Sequence, residues 1–164
     1  MSGNKVQYKK MPMEEIIVLS QQNDFKALEE LIKREQKNVF AAFSYLNNRR
    51  ENVFDLTQEA LLRVARNIQK LKNPRHFRSW LNQIITNLFY DELRKQKRKP
   101  DTISIDEENI DGIFSIKLEL VDKKCKPHEK CISSELENLI KEAILKLPEQ
   151  FRVAIVLREL QGLS

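Results

Sequence analysis

The sequence predicts an all-α protein, and three observations carry that expectation. Only 3 Gly and 5 Pro punctuate 164 residues, too little turn chemistry for a sandwich or barrel of many short strands. Long Gly-free stretches are dense in Leu, Ile, Lys, Glu, Arg and Gln, side chains that lose little freedom in a helix. Apolar residues recur at three- and four-residue spacing instead of alternating.

Taken in order, a short helix is expected around Met13 to Ser20. The first strong pattern runs from Asp24 to Leu46, with Asp24 as cap and Phe25, Leu28, Leu31/Ile32, Val39, Phe43 and Leu46 at helical spacing. The polar run Asn47 to Asn52 reads as a loop. A second long helix is expected to start near Asp55, where Asp55 and Gln58 have capping-box spacing; Leu61, Leu62, Ala65 and Ile68 continue its stripe. Asn73-Pro74 opens the third, Asn73 as cap and Pro74 at the first helical position, and the helix extends to about Lys97. Phe77, Trp80, Leu81, Ile84, Ile85 and Leu88 form its apolar face, which makes Trp80 a core residue. Gln83, Thr86, Asn87, Tyr90 and Arg94 lie opposite. The run Arg94 to Lys99 ends the helix and Pro100 stops it.

From 101 to 133 the periodicity fails and Asp106, Glu107, Glu108 and Asp111 gather, as expected of a flexible linker. Regular structure is expected again from Ser134, whose spacing to Glu137 is that of a capping box. Leu136, Leu139/Ile140, Ala143/Ile144 and Leu147 give the next stripe. Pro148 opens a last helix through Leu160, with Gly162 as its stop and Ser164 as a cap for whatever follows.

Charge and composition narrow the function. The net charge is +5, but between 63 and 99 eleven Lys/Arg face only Asp91 and Glu92, so that segment carries +9 and the remainder −4. One basic block on a mildly acidic body points to a polyanion-binding face. No Gly-rich phosphate loop or nucleophile constellation suggests an enzyme, and no cofactor is expected. Cys125, His128 and Cys131 supply three ligands where zinc usually takes four, so no metal is expected. The absence of a long apolar run or secretory signal leads to the expectation of a cytoplasmic protein without membrane insertion.

The stretch from Phe54 to Pro100 resembles region 2 of the sigma-70 family, in its extracytoplasmic-function (ECF) branch. The resemblance rests on D-L-T-Q-E-A (Asp55 to Ala60), W-L-x-x-I-x-x-N (Trp80 to Asn87) and D-E-L-R (Asp91 to Arg94). The last segment, with L-P-E-Q-F-R and L-R-E-L-Q-G-L-S, resembles the opening of region 4. The implied organisation is a region 2 domain over 12–100, a linker over 101–133 and a partial region 4 hairpin over 134–164. In the family a helix-turn-helix follows G-L-S and reads the −35 element; it does not follow here, so truncation within region 4 is expected, and −35 binding is not.

The resemblance implies a sigma factor that binds core RNA polymerase and directs promoter-specific initiation through the −10 element. Asp55, Gln58, Glu59 and Leu62, with Arg63 and Arg66 farther along, match the helix that packs on the clamp coiled coil of the β′ subunit. Asn87 is the leading candidate for a base contact, since Asn both donates and accepts; Gln83, Tyr90 and Arg94 share its face. Arg94, Lys95, Lys97 and Arg98 suit phosphates. The loop around Asn73, Arg75 and His76 is the candidate pocket for a flipped base, His76 and Phe77 offering flat surfaces. The acidic linker stretch is expected either to mimic nucleic acid or simply to tether. An anti-sigma factor is a further expected partner. Two other readings compete: a sigma-like interaction protein that occupies polymerase or an anti-sigma factor without initiating, and a helical protein binding nucleic acid without sequence preference.

Overall fold

The computed structural model describes residues 8–47, 49–98 and 127–161. The described residues include the α-helices α1 (Met13–Gln21), α2 (Phe25–Leu46), α3 (Arg50–Asn67), α4 (Phe77–Arg98), α5 (Pro127–Leu145) and α6 (Glu149–Gln161), with 8–10 also helical. Short 3-10 turns at Ile68–Lys70 and Pro74–His76 connect α3 to α4. The all-α expectation holds.

Helix α2 is the axis of the molecule, packing against α1, α3, α4, α5 and α6. Its start is local chemistry: the Asp24 carboxylate accepts from the N–H groups of Lys26 and Ala27, satisfying two of the donors that a helix N-terminus leaves open. Ala27, Leu31, Val39, Ala42, Phe43 and Leu46 are then buried along one stripe. Each large apolar side chain so buried contributes about 1.5–3 kcal/mol. Phe25, expected on that stripe, is instead 80% exposed, because it lies on the side of the first turn opposite the fully buried Ala27.

Helix α3 corrects two expectations. It begins at Arg50, five residues before Asp55, and shortens the loop expected over Asn47 to Asn52. Asn47 Oδ1 accepts from Arg49 N, Asn52 donates to Glu92 of α4, and Val53 is buried. The Asn47 bond is local, but the Asn52–Glu92 bond and the burial of Val53 are tertiary contacts, and they favour an extra turn that capping-box spacing does not announce. The buried face is Val53, Leu56, Thr57, Ala60, Val64 and Ile68, rather than the expected stripe through Leu61, Leu62 and Ala65. Small and β-branched side chains at this spacing let α3 approach α2 closely, while Leu62 stays exposed.

The turn before α4 follows the local signal. Asn73 accepts from Arg75 N with Pro74 in the first position, although the first turn is 3-10 and α-geometry begins at Phe77. Phe77, Leu81, Ile85 and Leu88 are buried, and so are Asn82 and Phe89. Trp80 and Ile84 pack half-buried against the core, Trp80 with its ring 6.0 Å from Phe77.

Helix α5 starts at Pro127, not at Ser134, so the expected Ser134–Glu137 cap is helix interior; proline's fixed φ suits a first helical position and starts the helix earlier. The stripe expected on α5 is largely in water: Leu136, Leu139, Ile140 and Ala143 are exposed and only Ile144 and Leu147 are half-buried. Val153 and Val156 of α6 reach the core. The acidic linker residues Asp106 to Asp111, the side chains of Cys125, His128 and Cys131, and Lys99, Pro100, Gly162 and Ser164 lie outside the described residues. No described helix is long and apolar enough to cross a membrane.

Candidate nucleic-acid and polymerase interface

Two clefts hold some of the residues singled out from the sequence, one between α3 and α4 and one between α1 and the turn that leads into α4. The first, of about 530 Å³, lies between α3 and α4 and is lined by Asn52, Asp55, Leu56, Glu59, Arg63, Leu88, Asp91, Glu92, Arg94, Lys95 and Arg98. Residues matched to polymerase docking (Asp55, Glu59, Arg63) therefore meet residues matched to phosphate binding (Arg94, Lys95, Arg98). Gln58, Leu62 and Arg66 are exposed on α3 outside the cleft. The earlier start of α3 decides what Asp55 and Gln58 can do. As helix-interior residues they cap nothing, and their polar groups face solvent.

Ion pairs make this cleft close to neutral. Arg63 Nε lies 2.8 Å from Glu59 across one helical turn. Arg94 pairs with Asp91, and the hydrogen bond from Arg94, ahead of its charge and those of Arg63 and Lys95, holds the Asp91 carboxyl below the ordinary carboxylate range. Such exposed pairs are weak and exchangeable. A phosphate or a partner's charged group can take either member. Lys95 and Arg98 are exposed, and Lys97 Nζ stands 3.4 Å from Glu149 of α6.

On α4, Gln83 and Asn87 are exposed, while Tyr90 is half-buried with its ring 5.7 Å from Phe89. Tyr90 thus presents an edge on a fixed support rather than a free ring. These three line neither cleft.

The second cleft, about 610 Å³, joins Asn73, Pro74 and Arg75 to Met11, Glu14, Glu15, Val18, Leu19 and Gln22. Arg75 Nε is 3.7 Å from Glu14 Oε2, both well exposed. His76 is exposed but does not line it. Sequence reasoning missed Glu14 and Glu15, because acidic residues in a first helical turn are ordinary helix-dipole partners, and Gln22, which reads as a plain helix end. Nothing in their spacing points to a turn some fifty residues away. Among the described residues no group of His, Cys, Asp and Glu is arranged to hold a metal.

Comparison with known proteins gives this arrangement its family. Residues 31–99 match the family model of Sigma-70 region 2. The ECF RNA polymerase sigma-E factor of Haemophilus influenzae is 35% identical over 148 residues, which cover 88% of this chain and 75% of that protein. For the ECF RNA polymerase sigma-E factor of Escherichia coli (strain K12) the identity is 32%, covering 88% and 74%. The ECF RNA polymerase sigma factor SigW of Bacillus subtilis is 36% identical over 111 residues, 67% of this chain and 58% of that protein. With the helical bundle, the basic α4 and a relative at this identity over three quarters of its length, the chain belongs to the ECF sigma factors of the sigma-70 family.

Proposed function

We propose that this ECF sigma factor, which directs transcription initiation through RNA polymerase, divides that work between α3 and α4. The exposed side of α3, with Asp55, Gln58, Glu59, Leu62, Arg63 and Arg66, docks on the β′ clamp coiled coil. Carboxylates and an amide beside an exposed leucine suit a helical partner that carries basic groups. Gln83, Asn87 and Tyr90 contact bases of the −10 element, Arg94, Lys95, Lys97 and Arg98 bind phosphates, and the turn at Asn73, Arg75 and His76 receives an unstacked base. The work is organised as a region 2 unit over 12–100, a tether over 101–133 whose last residues, from Pro127, already belong to α5, and a region 4-like hairpin from 134 onward. It takes place in the cytoplasm, and an anti-sigma protein is the third partner. The exposed apolar row Leu136, Leu139 and Ile140 supports that last assignment.

The observation that carries this reading is the first cleft. It brings Asp55, Glu59 and Arg63 of α3 beside Arg94, Lys95 and Arg98 of α4, which supports one two-helix platform for polymerase and DNA. Capture of core RNA polymerase by the chain tests it. Asp55→Ala with Gln58→Ala is expected to weaken capture at least tenfold, the loss of one or two charge-assisted contacts. Undiminished capture by the double variant sinks the docking assignment. Promoter affinity of the holoenzyme should fall with salt, at about −0.9 in log–log slope per phosphate neutralised.

A further inference from the structure

Helix α1 has no part in the assignments above, although it forms a whole wall of the second cleft. It is also held unusually firmly for a first helix. Ile16 and Ile17 are fully buried, and Gln21 Nε2 donates to the carbonyls of Ile68 (3.1 Å) and Leu71 (2.6 Å). Arg34 of α2 donates to the carbonyls of Tyr8 and Met11 at 2.6 and 2.8 Å. The helix and the turn that leads into Asn73 are thereby locked at fixed separation, as a recognition pocket requires.

The lining suits one kind of occupant. Met11, Val18, Leu19 and Pro74 supply the apolar part of the lining, and Glu14, Glu15, Gln22, Asn73 and Arg75 the polar part. At about 610 Å³ the space falls within the usual range for small-molecule sites, about 300–1,000 Å³. Two carboxylates repel a phosphate, so a nucleic-acid strand presents a base here and keeps its backbone toward Arg75. The Glu14–Arg75 pair is long and exposed, so an arriving phosphate can take Arg75 and leave Glu14 with an unused acceptor. A carboxylate only accepts hydrogen bonds. Cytosine and adenine offer it an exocyclic amine, and guanine offers ring and amino N–H groups. Thymine offers a single N3–H between two carbonyl oxygens that a carboxylate repels.

We propose that Glu14 of α1 is a specificity-determining residue of promoter opening: the unstacked base seats between α1 and the 73–75 turn, where Glu14 accepts from its amino group and disfavours thymine. The inference rests on the reading that this turn meets the promoter strand. It adds a reader from a helix outside the region 2 match, which begins at residue 31.

Holoenzyme assembled from core RNA polymerase and the full chain is challenged with fork-junction DNA randomised through the −10 segment, and bound molecules are sequenced. With the wild-type chain, one position should deplete thymine roughly tenfold, the scale of one good base contact. Glu14→Gln, which can donate as well as accept, should erase that depletion and leave preferences elsewhere intact; Glu14→Ala should do the same with weaker binding. Thermal melting of each variant controls for folding. If both variants keep every wild-type preference, the role of Glu14 is refuted while the −10 reading stands. A wild-type chain without base preference anywhere in the segment overturns the −10 reading and this inference together. Enrichment of thymine at the position that responds to Glu14 overturns the proposed chemistry.

Discussion

The helices before residue 98 and the hairpin after Pro127 are both amphipathic in sequence, yet they spend their apolar surface differently. In the first region Leu31, Val39, Phe43, Leu46, Leu81 and Ile85 are each completely buried. In the second, Leu136, Leu139 and Phe151 are 56%, 64% and 55% exposed, and among its described side chains only Val153 and Val156 are buried. To the apolar contact of Val153, Val156, Ile144 and Leu157 with the core the hairpin adds a polar latch. Arg152 donates to the carbonyl of Leu46, where α2 ends, and to those of Leu145 and Leu147, where α5 ends. One guanidinium thus satisfies carbonyls at two helix C-termini, which favour positive charge. The difference teaches that a helical stripe states a capacity for burial, and that the neighbours decide whether it is used. The bundle is a stable platform, whereas the hairpin is a docked element with a single main latch.

The contrast can be broken at its strongest point first. Phe43→Ala should cost the bundle about 3–5 kcal/mol, read as a fall in the denaturant midpoint of the whole chain. A loss below 1 kcal/mol would mean that α2 is not the axis of the core. Next comes the buried ion pair. Glu35 is 1% exposed inside α2, accepting from Arg78 at 2.9 Å and from Asn38 at 3.2 Å. Arg78→Ala removes the cation beside a buried carboxylate and should cost about 3 kcal/mol, more than Glu35→Gln, which removes the charge that needs a partner. The reverse order would show that water serves Glu35 better than Arg78 does.

Arg152→Ala should act on the hairpin alone. Loss of its hydrogen bonds should release α5 and α6 by about 2 kcal/mol, seen as faster amide exchange there with unchanged protection in α2 and α4. If exchange in α2 rises equally, the two regions form one cooperative unit and the contrast fails. Releasing the hairpin also separates Glu149 from Lys97, which should raise the salt dependence of DNA binding slightly.

The smallest effect is at the cap of α2. The phenol of Tyr8 donates to Asp24 at 2.8 Å. That bond, then the Ala27 N–H, lowers the Asp24 carboxyl from its ordinary range. The folded state therefore binds this proton less readily than the unfolded chain. The contribution to stability is present above the ordinary carboxylate pKa and lost as pH falls through the lowered one. Asp24→Asn keeps a good cap, so it should change stability little at neutral pH and flatten the acid limb of the stability curve. Asp24→Ala should cost about 1 kcal/mol, and an unaltered acid limb in Asp24→Asn would remove Asp24 from the pH account.

What could be read in advance was set within a turn or two of chain. The Asp24 cap, the Asn73-Pro74 start, the α4 stripe through Phe77, Leu81, Ile85 and Leu88 and the basic end of α4 follow from spacings of three and four residues. The family, too, was legible in short ordered motifs that keep their order across any fold geometry. The start of α3 at Arg50, the burial of Glu35, the joining of Glu14 to Arg75 and the latch from Arg152 to Leu46 were not. Each depends on a partner that arrives from tens of residues away, and hydrophobic burial is non-directional. Local sequence thus determined which helices form and which face can be apolar. Only the tertiary packing decided which apolar faces are covered and which polar groups share a cleft, because those choices are made by surfaces that meet after the helices exist.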